Sequence, residues 1–207
     1  IEYALDTLKA DAIAVWTSYD GKYIGDPAFV PVFEELNRRK AVVHVHPLAP
    51  QACSQLVRCV RGSGLEYTHD TARAAVSVLL GEGKTALRCP DVTFIWSHSG
   101  GTLSFLTKRI EDHVATHSKD EFPNGALPIL RKYYYDTAGN TPGQLASLLD
   151  IVPVSQLLFG SDFPYVPAAP VIGELDASKV RGAKLSDAQI RAIDRENAVR
   201  LWPRLGA

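Results

Sequence analysis

Five short apolar runs, at 12–16, 41–46, 92–96, 133–137 and 156–160, alternate with segments of helical periodicity, and this alternation constrains the chain more than any other feature. Each run is apolar at consecutive positions, so both faces of the strand it forms need cover. A parallel sheet with helices packed on it supplies that cover, and the pattern predicts an α/β fold. Helices are expected over 2–10, where Tyr3 or Ala4, Leu5 and Leu8 share a face, and from Pro27 onward, where Phe29, Val32, Phe33 and Leu36 oppose Glu34, Glu35, Arg38 and Arg39. Further helices are expected over 70–80, 103–110 and 144–149, and a last one from about Asp187 to Leu201 is opened by a capping box of Ser186 and Gln189. Residues 167–184 have the most loop-like composition, and no repeat or linker divides the chain, so 1–207 reads as a single domain.

Composition removes several classes of function. With 207 residues, 46% hydrophobic content, a formal charge of -1 and a pI near 6.7, the chain lacks the basic excess of a nucleic-acid binder. It also lacks an apolar run long enough to span a bilayer, and Ile1 opens an amphipathic segment unlike a secretory signal. Neither nucleic acid nor membrane is an expected partner, and the expected location is cytoplasmic. Cys53, Cys59 and Cys89 are an odd set with no CxxC pair, which reads as reduced thiols. The chain neither begins with Met nor contains one, whereas a protein of this length holds about four or five. It therefore reads as part of a longer protein.

The residues that follow the apolar runs carry the chemistry. In a (β/α)8 barrel the active site lies at the carboxyl ends of the strands, and three of the five runs end in metal-type ligands: His46, His98 and Asp162. His44 and His46, two apart on one strand, face the same side and could chelate together, although the deeper His44 also fits a hydrogen-bonded structural histidine. His98, before Gly100 and Gly101, can serve as a ligand or as a general acid/base; the alternative is a turn histidine that caps the next helix. A carboxylate such as Asp162, directly after a buried strand, needs a metal, an ion pair or a cap to offset its desolvation. Asp136 fits either a site residue or a loop cap. His69 lies in a polar stretch, and His113 and His117 at i, i+4 could bind metal but fit a solvated helical face better. Trp16, Tyr19, Phe163 and Tyr165 are candidates for pocket walls.

Five segments taken in order carry a more specific signal: Val42-Val-His-Val-His-Pro47, Ser97-His-Ser-Gly-Gly-Thr-Leu103, Tyr134-Tyr-Asp-Thr-Ala138, Leu158-Phe-Gly-Ser-Asp-Phe-Pro164 and Asn197-Ala-Val-Arg-Leu-Trp-Pro203. Together they resemble the amidohydrolase-2 family, the group of aminocarboxymuconate semialdehyde decarboxylase and related aromatic-acid decarboxylases. Residues 3–47 are most similar to the fungal 6-methylsalicylate decarboxylase type. The resemblance implies a (β/α)8 TIM barrel, of which this chain supplies about the last five β/α units as the C-terminal part of a single catalytic domain. It implies one divalent metal ion, zinc first and manganese second, held by His46 and Asp162 together with an HxH pair from the first strand. That pair should lie roughly 100 residues before Ile1 if the family's layout holds. Reading His44-Val-His46 as the first-strand pair is disfavoured, because two helix and strand units precede it and Pro47 follows it.

By the same resemblance, His98 and Asp162 handle the proton, and Arg109, eleven residues after His98, binds a substrate carboxylate, in some members across a homodimer interface. An exposed helical Arg109 is an equal alternative, and Ser99 stands where the family commonly has glycine. The implied function is metal-dependent, non-oxidative decarboxylation of a small aromatic or unsaturated carboxylic acid. Two other readings stay open: a hydrolase of a lactone, amide or ester using the same residues, and a non-catalytic fragment lacking the first-strand HxH.

Overall fold

The apolar runs form one parallel sheet of five strands, in the order β1 (Ile13–Trp16), β4 (Val42–His46), β5 (Thr93–Trp96), β6 (Tyr134–Asp136) and β7 (Leu157–Leu158). The structure, a computed structural model, describes residues 1–53, 56–139, 141–165 and 184–206. Sequential strand order in an all-parallel sheet requires every connection to cross back over the same face. The intervening helices do so: α1 (Val30–Arg38), α2 (Gly62–Leu80), α3 (Thr85–Arg88), α4 (Leu103–His117), α5 (Leu127–Leu130) and α6 (Pro142–Leu149). The C-terminal segment runs through α7 (Asp187–Arg191), a π-helical turn (Ala192–Glu196) and α8 (Asn197–Leu201). It begins at the expected capping box, with both reciprocal Ser186 and Gln189 bonds formed.

The core lies between sheet and helices. Val43 and Val45 of β4, Phe94 and Trp96 of β5 and Tyr135 of β6 meet Phe33, Leu36, Val78, Leu79 and Leu103 from the helices, all buried. Because side chains alternate along a strand, the neighbours Val42, His44 and His46 face the other way. On that second face Val42, Ile95 and Leu158 make a smaller cluster under Leu201 and Trp202. Register pairs Trp16 with His46, Val45 with Trp96, and Asp136 with Leu158, so the carboxyl ends of the strands finish at one level.

Several elements depart from the sequence reading. The expected helix over 2–10 is a single π-helical turn, Tyr3–Thr7, closed by Lys9 at φ 54°. Its proposed apolar face is largely bare: Tyr3 is 68% and Leu8 61% exposed, and only Leu5 reaches the core. Val32 likewise points outward while Phe33 and Leu36 are buried. Helix α2 begins at Gly62 instead of near residue 70, because Gly62 is a site of close approach and not a breaker. A Cβ there would lie 2.5 Å from the Cβ of Ala49. A small antiparallel hairpin, β2 (Ser18–Tyr19) and β3 (Lys22–Tyr23), was not expected, nor was α3. The loop-like stretch at 167–184 lies, save for Lys184, outside the described residues.

Candidate metal centre and active site

His46 closes β4, and its main chain stays in the sheet, with its carbonyl accepting from the N–H of Thr17 at 3.1 Å. The ring is walled by Trp16, Tyr67 and His98 in edge-on contacts at 5.5, 6.2 and 5.5 Å. Its Nδ1 lies 3.0 Å from the carbonyl oxygen of Pro47. A carbonyl only accepts, so Nδ1 carries the hydrogen and the lone pair is on Nε2. That Nε2 faces Oδ1 of Asp162 at 3.9 Å. Burial first, and then the neighbouring His98, hold the imidazole pKa below its ordinary value, which favours the neutral form a metal requires.

His98 sits in a tight turn after β5 in which four consecutive residues are left-handed: His98 at φ 53°, Ser99 at 57°, Gly100 at 72° and Gly101 at 62°. Non-glycine residues adopt this conformation at a cost, and the surroundings supply matching bonds. The main-chain N–H of His98 donates to Oδ1 of Asp136 at 2.8 Å, and the same oxygen accepts from Ala138 N at 3.1 Å. From the other side Nε2 of Gln144 donates to the carbonyls of His98 at 2.9 Å and Gly101 at 3.3 Å. Gly101 is required for a second reason, since a Cβ there would fall 1.8 Å from the Thr68 carbonyl oxygen. The ring's Nδ1 faces Ala138 O at 3.2 Å, which again leaves Nε2 as the free nitrogen.

Asp162, beyond β7, also has a left-handed backbone, at φ 57°. One ligand atom from each of His46, His98 and Asp162 lies within 4.8 Å of the other two. Two imidazole nitrogens and a carboxylate at that separation fit a divalent cation, with room for further ligands. The three line a cavity of about 550 Å³ whose walls include Trp16, Leu48, Tyr67 and Tyr165, with Arg61 and Gln144 at its edge. Of the proposed wall residues Trp16 and Tyr165 are therefore in place. Tyr19 instead accepts the Trp16 N–H on its hydroxyl, while Phe163 lines an adjoining hollow of about 380 Å³ that His46, His98 and Asp162 also border.

The other candidates fall outside the cluster. His44, two residues deeper on the same face of β4 as His46, has Nε2 3.2 Å from Oδ2 of Asp136. Asp136, open between two readings, caps the His98 turn and so touches the site through backbone. His69 meets Thr102 Oγ1 at 3.3 Å, and His113 and His117 stack at 4.6 Å on the exposed side of α4. Arg109, also on α4, is exposed and does not line the cavity. Gln144 and Asp136 are the residues that sequence reasoning did not weigh as supports of His98; their partners are main-chain groups of a turn, which leave no spacing signal.

The family model described as amidohydrolase matches residues 1–204. The decarboxylase yanB of Aspergillus niger is 36% identical over 217 residues, covering 98% of this chain and 57% of its own length. The 6-methylsalicylic acid decarboxylase acuB of Aspergillus aculeatus is 34% identical, covering 99% of this chain and 64% of its own. This chain thus spans about three fifths of the length of these relatives. Among solved structures, a dihydroxybenzoic acid decarboxylase from a Polaromonas species, with bound manganese and 2-nitroresorcinol, superposes with a TM-score of 0.83 at 18% identity, over 100% of this chain and 64% of that one. The sheet is accordingly a run of five β/α units from a TIM barrel. On the extent of the family match and the identity to these relatives, the chain belongs to the amidohydrolase-2 family.

Proposed function

We propose that this chain supplies the last five β/α units, and the larger share of the active site, of a metal-dependent carboxy-lyase that decarboxylates a small aromatic or unsaturated carboxylic acid. The observation that carries the reading is the convergence of His46, His98 and Asp162 at the carboxyl end of the sheet. The relatives named as decarboxylases supply the reaction class. His46 and Asp162 would hold one divalent ion, with the first-strand HxH expected outside this chain. Zinc suits nitrogen and carboxylate ligands, and manganese, present in the Polaromonas relative, is the second choice. Bound there, the ion would supply positive charge that holds an anionic substrate and stabilises the charge developing on it.

The chain's own residues account for the rest. Trp16, Tyr67 and Tyr165 offer flat apolar walls for a ring, with Leu48 beside them. With Nδ1 committed to Ala138, His98 presents Nε2 to the cavity and in its protonated form delivers a proton to the carbon that bears the carboxylate. A C–H bond forms there, the C–C bond to the carboxylate then breaks, and its electron pair returns to the ring as carbon dioxide leaves. Asp162, itself a member of the ligand cluster, assists in handling that proton. Arg109 lies on the exposed side of α4, so we assign it to the carboxylate bound in a second copy's cavity, which makes a homodimer the working unit. A reducing, cytoplasmic setting accords with three free cysteines.

The test is to incubate the metal-loaded full-length protein with 6-methylsalicylate and, separately, with a lactone, following carbon dioxide release and ring opening. Carbon dioxide from the acid is expected. Ring opening alone would favour the hydrolase, and a full-length protein that takes up no divalent ion would end the enzyme reading.

A further inference from the structure

A fully buried carboxylate on α2, Asp70, is 0% exposed and takes its direct hydrogen bonds from uncharged groups, with Arg73 nearby against the Tyr23 hydroxyl. Burying a charge in this way is costly unless hydrogen bonds compensate, and Asp70 has three donors. Oδ1 accepts from the Tyr23 hydroxyl at 2.6 Å; Oδ2 accepts from the Thr17 hydroxyl and from the Leu48 main-chain N–H at 3.0 Å. The Leu48 N–H is shared with Thr17 Oγ1 at 3.3 Å.

The Leu48 N–H belongs to the same peptide group as the Pro47 carbonyl, and that carbonyl is the one facing Nδ1 of His46 at 3.0 Å. The only cis peptide among the described residues is Phe163-Pro164, so the Pro47–Leu48 peptide is trans, planar, with N–H and C=O pointing in opposite directions. Asp70 and His46 thus grip the two ends of one rigid plate. A carboxylate pulling on the N–H polarises the amide and makes its oxygen a stronger acceptor for the imidazole hydrogen. Thr17 anchors the same assembly from a third side, because its own N–H donates to the His46 carbonyl at 3.1 Å.

We propose that Asp70 is a positioning residue for the metal ligand His46, acting through the Pro47–Leu48 peptide to fix the ring's tautomer and direction. It is the peptide-relayed form of the carboxylate-to-histidine contact that commonly orients metal-bound imidazoles. This rests on the proposed role of His46 as a ligand. Asp70 touches neither substrate nor ion; its effect is on how tightly His46 Nε2 can hold a cation.

The experiment measures Zn²⁺ affinity of the full-length protein by competition with a chromogenic chelator, at a temperature where each variant is folded by circular dichroism. Asp70→Asn keeps the shape and removes the charge, and its affinity should fall roughly 10- to 100-fold. Thr17→Val, nearly isosteric, should move affinity in the same direction by a smaller factor and decides the matter if Asp70→Asn does not fold. Ser77→Ala breaks a comparable α2 hydrogen bond, from Gly25 N at 3.2 Å, away from the site, and should leave affinity within about twofold. Unchanged affinity in the folded Asp70 and Thr17 variants, or an equal loss in Ser77→Ala, overturns the role of Asp70 while leaving the metal site in place. A wild-type protein that takes up no Zn²⁺ overturns the site itself, and this inference with it.

Discussion

At the scale of single residues, His98 combines a chemical task with a backbone that few side chains accept. Asparagine tolerates left-handed φ better than most residues, so His98→Asn separates chemistry from strain. It is expected to lower kcat by about 10²- to 10⁴-fold, the usual worth of a placed acid/base group, with metal content by elemental analysis unchanged; metal lost in step with activity would instead make His98 a ligand. Asp136→Ala orphans the N–H groups of His98 and Ala138 that one carboxylate oxygen now satisfies. Urea unfolding should register a loss of about 1–3 kcal/mol for each group left buried without a partner. His46, His98 and Asp162 were legible because a strand-end position and a ligand-type side chain are both sequence properties. Asp136, legible as a site residue or a loop cap, holds Ala138 two positions on as well as the distant His98; Gln144 and Asp70 bond to main-chain groups brought close only by tertiary folding, and nothing in their neighbours announces it.

Among the elements, the first four strands were read to within a residue at each end, while β7 keeps only Leu157–Leu158 of its run and β1, expected to be buried, alternates half-buried with exposed residues. The hairpin at 18–23 was missed although Asp20-Gly21 is a strong turn pair, with φ of 49° and 75° at its two positions. Its strands are two residues each, too short for any alternation to show. The beginning of α2 was missed because Gly62 and Gly64 lower helix propensity, which packing against Ala49 and the core outweighs. Close approach also governs the start of α4. Gly101→Ala would drive a methyl into the Thr68 carbonyl and should cost at least about 1–3 kcal/mol, as overpacking does, measured as a fall in melting temperature. Charge holds the first turn to α1: Arg39 bridges Asp6 and Glu35, and the bonds from Arg38 and then Arg39 pull the Glu35 pKa down to about 2. A carboxylate with a folded pKa below its unfolded value of 4.5 stabilises fully above that value, and its contribution disappears as pH falls toward about 2. Between those limits the wild type should lose more melting temperature than Glu35→Gln, and the difference should shrink in high salt.

For the whole molecule, the assignment of Arg109 to a neighbouring copy makes a prediction about mixtures. In a two-fold dimer each cavity would take His98 from one chain and Arg109 from the other. Co-refolding inactive His98→Asn with inactive Arg109→Ala should then restore roughly a quarter of wild-type activity, since half of the dimers are mixed and each holds one intact site. No recovery would place Arg109 within its own chain's cavity, and an Arg109→Ala protein that keeps its activity would place it outside the reaction. The inner sheet face, in contrast to the helix-covered one, could not be apportioned from sequence, because its cover comes from residues far along the chain. Trp202 Nε1 donates to the carbonyl of Asp11 at 3.1 Å, and Arg204 pairs with the Asp11 carboxylate, across 191 and 193 positions. On a ribosome, which works from the amino end, the turn that leads into β1 therefore emerges long before its clasp is made, and this corner of the protein can lock only once synthesis has passed residue 204.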